Sequence, residues 1–501
     1  MQRNSSLTLF LLMVVTLAMT ALSGCANAGG KDPVAANTES VKIPVTTSSD
    51  EAKKEFLAGR DLAEKLLITD SLQHYDKAIS LDPNFATAEL NRATSSATAK
   101  EFFDHLKNAV RLADKASSGE KLLILGTEAG ANGNPAKQQE LLSQLVTAYP
   151  NDERAHFTLG GYYFGQQDMA KAIEHYKKAT EINPTYSTAF NILGYAYRQS
   201  VDYANAEQAF KKYIELIPKD PNPYDSYAEL LLKMGRFDES ITQYRKALDI
   251  DPKFINSHFG ISAALMYQGK HDEAAAELQK ITDKARTDGE RRTALFGLMV
   301  VDVDAGKWDK ALEEVDRQYA LGEKTSDVPN LAGDLQLKGN IMLEMGKYDE
   351  AKALFARALK MTEESNQSPE IKNITRLFDH FNSASVALAK KDLATAKNEA
   401  EAFKKGAEAS NNPNQLKQAH SLIGSIALEE KDFDKAIAEL AQSNQQNPRD
   451  LYRQCEAYQG KGNSAKAKEF CTKVAGFNSL PQLNLAFVRA KAGKLAGAAK
   501  G

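Results

Sequence analysis

A repeat with a period of 34 residues occupies the middle of the chain and constrains how all of it can fold. Pro184, Pro218 and Pro252 follow one another at intervals of 34 residues, and Gly160 and Gly194 are separated by the same interval. A fixed period of this length is the signature of a repeat protein, in which each unit packs against its neighbours along one axis. We therefore interpret the other motifs of the chain within the frame of this repeat.

The residues inside one period resemble the tetratricopeptide repeat, a pair of antiparallel helices called A and B. That family places a small residue at position 8, alanine at positions 20 and 27, an aromatic residue at 24 and proline at 32. In the best repeat of this chain these positions are filled by Gly160, Ala172, Tyr176, Ala179 and Pro184. The resemblance implies that the two helices are in closest contact at positions 8 and 20. Proline ends helix B because it cannot continue a helix.

The same pattern covers roughly residues 50–480, clearly in residues 153–252 and more loosely in residues 86–118 and 364–410. It corresponds to about twelve helical hairpins, because each repeat supplies one. The resemblance therefore implies an all-α fold, a right-handed α-solenoid. The expected parts are an N-terminal array, a more divergent C-terminal array, and a capping helix with a tail, at residues 51–286, 287–481 and 482–501.

Residues 1–24 have the features of an export signal. An apolar run from Leu7 to Ala21 follows a basic residue and ends in small residues before Cys25. This arrangement resembles the lipobox of bacterial lipoproteins, and the resemblance implies that Cys25 is lipidated and becomes the first residue of the mature chain. Residue 26 is alanine and not aspartate, which by the same resemblance favours the outer membrane. The alternative is an ordinary secretory signal with a chance cysteine.

Residues 25–50 are rich in small and polar residues and lack a helical period, so we expect a lipid anchor followed by a flexible tether. No later segment has the roughly 18 uncharged apolar residues that a membrane span needs. The folded part is therefore expected to face the periplasm while the lipid holds the protein on the membrane.

Composition and motifs argue against nucleic-acid binding and against catalysis. The net charge of −3 comes from 63 basic and 66 acidic residues, whereas nucleic-acid-binding proteins carry a basic patch or stripe. Trp308-Asp309 and Gly460-x-Gly462 resemble known motifs, but within the repeat frame both are turns between helices A and B. The eight histidines are scattered, and a zinc site needs clustered ligands. We therefore expect no enzyme activity, no cofactor and no metal.

Cys455 and Cys471 occupy positions 8 and 24 of one repeat, on facing helices. An exported protein folds in an oxidising compartment, and lipidation of Cys25 would leave these two cysteines as a pair. A disulfide between them is one interpretation, and two small packing residues are the other.

By resemblance to the family, certain positions of helix A line the concave face of the array and bind partners. In this chain they are occupied by Arg154, Phe157, Phe164, Asn191, Tyr195, Arg198, Asp225, Glu229, Asn256, Phe259 and Tyr267. Aromatic residues and arginine are enriched at binding hot spots. The alternative for each aromatic residue is packing between neighbouring hairpins. The family's arrangement of lysine and asparagine for a free C-terminal carboxylate is absent, so that mode of recognition is not expected.

These features together predict a lipid-anchored scaffold of the cell envelope that mediates protein–protein interactions through its concave face. Its partner would be another, unidentified envelope protein. Two alternatives remain open: a binding protein for a non-protein ligand such as glycan or peptide fragments, and an enzyme within a helical-repeat scaffold. The sequence offers no catalytic constellation for the latter.

Overall fold

The computed structural model describes residues 42–65, 67–96, 99–132, 134–285, 288–325, 327–367, 369–410 and 412–498. Within these residues the chain is helical and contains no strand, which confirms the predicted all-α fold class. None of the helices described is long and apolar enough to span a membrane.

The chain divides into two compact units, the first ending at Leu230 and the second beginning at Leu231. The helices of the first unit are α1 (Asp50–Glu64), α2 (Ile68–Leu81), α3 (Ala86–Thr94), α4 (Ala99–Leu112), α5 (Ser118–Ala131), α6 (Pro135–Ala148), α7 (Glu153–Gly165), α8 (Met169–Ile182), α9 (Ser187–Gln199), α10 (Tyr203–Leu216) and most of α11 (Pro221–Lys233). Helices α1 to α10 pack as five consecutive hairpins.

The second unit continues the alternation of helices A and B. Its helices are α12 (Phe237–Ile250), α13 (Ile255–Tyr267), α14 (His271–Lys284), α15 (Asp288–Asp304), α16 (Trp308–Thr325), α17 (Val328–Glu344), α18 (Tyr348–Glu364), α19 (Pro369–Ala389), α20 (Leu393–Ser410), α21 (Pro413–Glu429), α22 (Phe433–Ala441), α23 (Pro448–Gly460), α24 (Ser464–Ala475), α25 (Leu483–Ala486) and α26 (Arg489–Ala498). Helices α13 to α24 form six hairpins. With α11 and α12, which are adjacent in sequence, the described chain has the twelve helix pairs that the period predicts.

Glycine at position 8 is required because an aromatic ring at position 24 lies against it. A Cβ atom placed on Gly160 would be 2.9 Å from the ring of Tyr176, and one on Gly194 would be 2.7 Å from the ring of Phe210. Real Cβ atoms do not approach other atoms so closely. Both rings are almost completely buried, so any larger residue at position 8 would separate the two helices.

The two motif-like sequences lie next to turns between helices A and B: Trp308-Asp309 begins α16, and Gly460-x-Gly462 runs from the end of α23 into the turn. Gly306 has a φ of 73° and α16 begins at Trp308, while Gly462 has a φ of 80° and α24 begins at Ser464. A positive φ is easy only for glycine, because it lacks a Cβ atom. These glycines therefore permit the turn.

The expectation of a flexible tether up to residue 50 is wrong for residues 42–49. This stretch is extended and bound to the first unit through backbone amides, including those of Ile43 and Thr46, which donate to Asp152 and Glu120 at 2.9 Å. The anchor Cys25 and the remainder of the predicted tether lie outside the described residues. The predicted division after residue 286 falls within the second unit, next to residues that are also outside the described part.

Candidate functional site

Arg154, the first candidate on α7, is bound by groups of its own chain. Its Nε atom lies 2.7 Å from Glu64 Oε1 and its Nη1 atom 2.6 Å from Glu153 Oε1. The guanidinium carbon is 5.5 Å from the ring centroid of Tyr186. Burial by itself lowers the pKa of Arg154, but the bonds to Glu64 outweigh that effect and raise it. Arg154 therefore links α1 to α7 within the first unit.

Two other candidates on α7 pack between hairpins, which is the alternative that the sequence left open. The ring of Phe157 lies 5.6 Å from that of Tyr176 and 5.3 Å from that of Tyr186, measured between centroids. Phe164 approaches Tyr176 edge-on, with centroids 6.5 Å apart. These contacts join α7 to the core of its own and the next hairpin.

Candidates on α9 and α11 form a compact group that we call the Arg198 cluster, consisting of Tyr195, Arg198, Ser226 and Glu229. The guanidinium carbon of Arg198 lies 4.7 Å from the ring centroid of Tyr195, and its Nη1 atom is 2.9 Å from Glu229 Oε2. The Tyr195 hydroxyl donates to Ser226 Oγ at 3.3 Å. Burial raises the pKa of Tyr195 well above its usual value. The tyrosine therefore stays neutral and holds the arginine in place.

The Arg198 cluster stays partly exposed in the first unit, as do Arg154, Phe157 and Phe164. The side chain of Arg198 is 26% exposed and that of Glu229 is 17% exposed. Asn191 and Asp225, the other candidates on these two helices, are buried.

The candidates of the second unit lie on α13 and are engaged by its other elements. The ring of Phe259 packs against α15, where a Cβ atom on Gly297 would be 2.7 Å away from it. Asn256 is half-buried. Tyr267 is buried, and its hydroxyl donates to the carbonyl oxygen of Ser479 at 2.6 Å.

Tyr267 is covered by residues 477–491, which we call the C-terminal strap. Within the strap, Arg489 stacks on Tyr267 with its guanidinium carbon 4.6 Å from the ring centroid, and forms an ion pair of 3.2 Å with Asp304. Phe487 stacks on Trp308, with centroids 6.3 Å apart and ring planes 14° apart. Lys491 pairs with Glu344 at 3.3 Å. The strap therefore covers A-helix positions on α13, α15 and α17, and α26 also packs along α24.

Most histidines bridge the two helices of one hairpin, a pattern that the sequence reasoning missed. Four of these bridges share Nδ1-to-carboxylate distances of 2.5 to 2.7 Å and one spacing: His258 with Glu277, His380 with Glu399, His420 with Glu439 and His74 with Glu55. Each pair spans 19 residues, the interval from position 4 of helix A to position 23 of helix B. The repeat frame contained this signal. Among the described residues no group of three or more metal-binding side chains is close enough to hold an ion.

One hairpin has histidine at both positions of this bridge. The Nδ1 atoms of His156 and His175 are 3.1 Å apart. Burial lowers the pKa of both histidines, and for His175 the neighbouring imidazole lowers it further. In the hairpin of His258 the partner is a carboxylate, Glu277. Burial alone would raise the pKa of Glu277, but hydrogen bonds from His258 and a lysine lower it to about 2.

The structure places Cys455 and Cys471 in a disulfide between α23 and α24, with Cα atoms 5.3 Å apart. Both residues are buried. The disulfide joins the two helices of the last hairpin, next to the C-terminal strap. Cys25 lies outside the described residues.

Sequence profiles of repeat families match four stretches of the chain. Residues 153–186 match the "Tetratricopeptide repeat" profile, residues 187–220 and 335–365 match a second profile of that description, and residues 228–269 match a "TPR repeat" profile. Residues 153–220, 228–269 and 335–365 are therefore tetratricopeptide repeats. Arrays of this kind are scaffolds for protein–protein interaction.

Several solved structures are similar to part of this chain. One, titled a crystal structure of MamA protein, is 23% identical, covers 34% of this chain and 96% of its own, and has a TM-score of 0.30. A tetratricopeptide repeat protein from Parabacteroides merdae ATCC 43184 is 17% identical over 52% of this chain and 97% of its own, with a TM-score of 0.39. YrrB, described as a TPR protein with an unusual peptide-binding site, is 17% identical over 36% of this chain and 93% of its own, with a TM-score of 0.28. No curated protein sequence matches the chain.

The histidine pair predicts a loss of stability at mildly acidic pH. Since both pKa values are lower in the folded chain, the unfolded chain binds protons more readily. Stability is therefore full above the ordinary histidine pKa of about 6.5 and is lost as pH falls below it. Substitution His175→Glu would give His156 the partner that His258 has in Glu277. We expect the thermal midpoint of His175→Glu to fall less than that of the wild type between pH 7.5 and 5.5.

The gain in stability at pH 5.5 should be on the order of 1 kcal/mol, the typical net contribution of one added hydrogen bond. His175→Gln serves as the control, because it removes one titrating imidazole without adding a charge. It should recover less of the stability that is lost at acidic pH. An equal fall in midpoint for His175→Glu and the wild type would contradict this account of the pair.

The C-terminal strap predicts a fluorescence change, because Trp308 is the only tryptophan of the chain. Phe487→Ala removes the stacked ring and should expose the indole to water, so its emission should shift to longer wavelength. Phe470, which stacks on Tyr458 with centroids 5.4 Å apart, provides the matched control Phe470→Ala, with no expected shift. Unchanged Trp308 emission in a Phe487→Ala protein of native circular dichroism would show that the strap does not lie on α16.

Proposed function

We propose that this protein is a lipid-anchored scaffold of the bacterial cell envelope, which binds a protein partner through the A helices of its first unit. The observation that carries the proposal is the Arg198 cluster. It places a partly exposed guanidinium on a tyrosine ring at positions that the tetratricopeptide family uses for binding. In the second unit, the corresponding positions on α13, α15 and α17 are contacted by the C-terminal strap.

The geometry of the Arg198 cluster suits a binding hot spot. Arginine and tyrosine are the residue types that dominate interface energies, in particular where they are packed and partly desolvated. Arg198 is already fixed by Glu229 and by the ring of Tyr195. Binding a partner would therefore cost less side-chain entropy than it would for a mobile arginine.

The anchor part of the proposal rests on the sequence before residue 42. An apolar run followed by Leu22-Ser23-Gly24-Cys25 supports lipidation of Cys25. Two or more acyl chains hold a protein stably on a bilayer. With alanine at residue 26, the outer membrane facing the periplasm is the proposed location. Confinement to a membrane surface raises the effective concentration of partners anchored in the same membrane.

Site-specific crosslinking tests the binding surface. A photo-crosslinking amino acid at Gln199, the exposed neighbour of Arg198, should give a discrete adduct with one envelope protein in intact cells. The same amino acid at Lys177, an exposed position on α8, is the control and should not give that adduct. Tyr195→Ala, which removes the support of Arg198, should reduce the yield at least tenfold. Identical adducts from both positions, or a bound small molecule in place of a protein, would contradict the proposal.

Fractionation of a Cys25→Ala variant tests the anchor. Without the acceptor thiol the protein should appear in the soluble fraction or remain unprocessed, while the wild type sediments with membranes. Asn27→Ala, two residues away, is the control and should fractionate like the wild type. Unchanged processing and membrane retention of Cys25→Ala would show that the chain is not lipidated at this position.

A further inference from the structure

Residues 42–49, which we call the N-terminal segment, lie on the first unit in the manner of a bound peptide. The backbone is extended, and exposure alternates along it, with residues 43, 45, 47 and 49 half-buried and the intervening ones exposed. This period of two is that of a β-strand with one face against a surface. Ile43 packs with the core cluster that contains Leu145, and Val45 packs with the one that contains Phe56.

Three carboxylates hold the backbone of this segment, and we call them the carboxylate ladder: Asp82, Glu120 and Asp152. The ladder accepts hydrogen bonds from the amides of Ser48, Thr46 and Ile43, at 3.0, 2.9 and 2.9 Å respectively. Each carboxylate belongs to a different connection between hairpins, directly after α2, at the start of α5 and directly before α7. The ladder therefore spans three successive connections, and recognition of backbone amides does not depend on side-chain identity.

The ladder has local support that does not involve the N-terminal segment. Asp152 accepts the amides of Arg154 and Ala155 at the start of α7, and Glu120 accepts the hydroxyl of Thr87. Buried carboxylates persist in ionised form only when donors surround them. This local set of donors would keep the ladder formed when the segment leaves.

The electrostatics of the ladder fit a site for amide donors. Burial alone would raise the pKa of Glu120, but hydrogen bonds from Thr46 and Thr87 outweigh it and hold the pKa below its usual range. The same balance, with bonds from Thr47 and Ser48, lowers the pKa of Asp82. Ionised acceptors form stronger hydrogen bonds than neutral ones.

We propose that the carboxylate ladder is a binding site for an extended peptide, which the N-terminal segment occupies in cis and which a partner segment can take in its place. The partner segment would be extended, with β-branched or aliphatic residues at alternate positions and free backbone amides between them. Half of the side chains of the N-terminal segment are exposed to solvent, which suits exchange. This surface is separate from the Arg198 cluster, so the inference does not depend on the proposed function.

Peptide binding to the purified full-length chain tests the exchange. The double substitution Ile43→Asp with Val45→Asp releases the N-terminal segment without altering a helix, which circular dichroism should verify. The probe is a fluorescent peptide with the sequence of residues 41–50. It should bind the released variant at least tenfold more tightly than the wild type, in which the chain's own segment competes. A probe carrying the same two aspartates is the negative control.

Substitutions in the ladder identify the site. In the released variant, Glu120→Gln should lower the affinity for the fluorescent peptide at least tenfold. Glu140→Gln, an exposed carboxylate on α6 that pairs with Lys137, should leave the affinity unchanged. If Glu120→Gln lowers the thermal midpoint of the array, Asp82→Asn provides a second test.

Hydrogen exchange completes the test, because it reports directly on the amides of the N-terminal segment in the wild type and in the released variant. The amides of Ile43, Thr46 and Ser48 should be protected in the wild type and exchange rapidly after release. Fast exchange in the wild type, equal affinity of the probe for both proteins, or binding that is insensitive to every ladder substitution would overturn the proposal. These outcomes involve neither the membrane nor an envelope partner, so they are distinguishable from a failure of the proposed function.

Discussion

The contact between a glycine on helix A and a ring on helix B is the interaction on which the hairpins depend. It recurs between Gly59 and Tyr75, Gly160 and Tyr176, Gly194 and Phe210, and Gly339 and Phe355. In each case the ring occupies the space that a Cβ atom would need, so the helices meet at backbone distance. Burial of a whole aromatic side chain provides a large stabilisation, roughly 1.5 to 3 kcal/mol for a side chain of this size. Gly160 and Gly194, one period apart, make this contact in successive hairpins.

A repeating core leaves surfaces that the repeat itself cannot cover, and this chain covers two of them with non-repeating segments. The N-terminal segment lies across the connections of the first unit, and the C-terminal strap lies on A helices of the second. Each unit is thus completed by residues close to one end of the chain. The consequence for function is an asymmetry, because the first unit keeps a partly exposed Arg198 cluster while Tyr267 in the second is buried beneath Arg489.

The sequence predicted those features that repeat and missed those that do not. The glycine and aromatic positions, the hairpins and the turns at Gly306 and Gly462 all follow from the period. Arg154 was predicted to face a partner, but it forms an ion pair with Glu64. The two residues are 90 positions apart in the chain, and no periodicity relates them. The hydrogen bond between Tyr267 and residue 479 spans 212 residues and is equally invisible in a repeat frame. The histidine–glutamate bridges are different, because their interval of 19 residues was present in the sequence and only had to be sought.

A double-mutant cycle at Gly194 and Phe210 tests the central claim most directly. Gly194→Ala should destabilise the chain while the ring of Phe210 is present, because the new methyl group overlaps it. In a Phe210→Ala background the same substitution should be neutral or stabilising, since alanine is the better helix former by about 1 kcal/mol. The account predicts a coupling energy of about 1 to 2 kcal/mol from chemical denaturation, within the range seen for residues in contact. Additive effects of the two substitutions would contradict it.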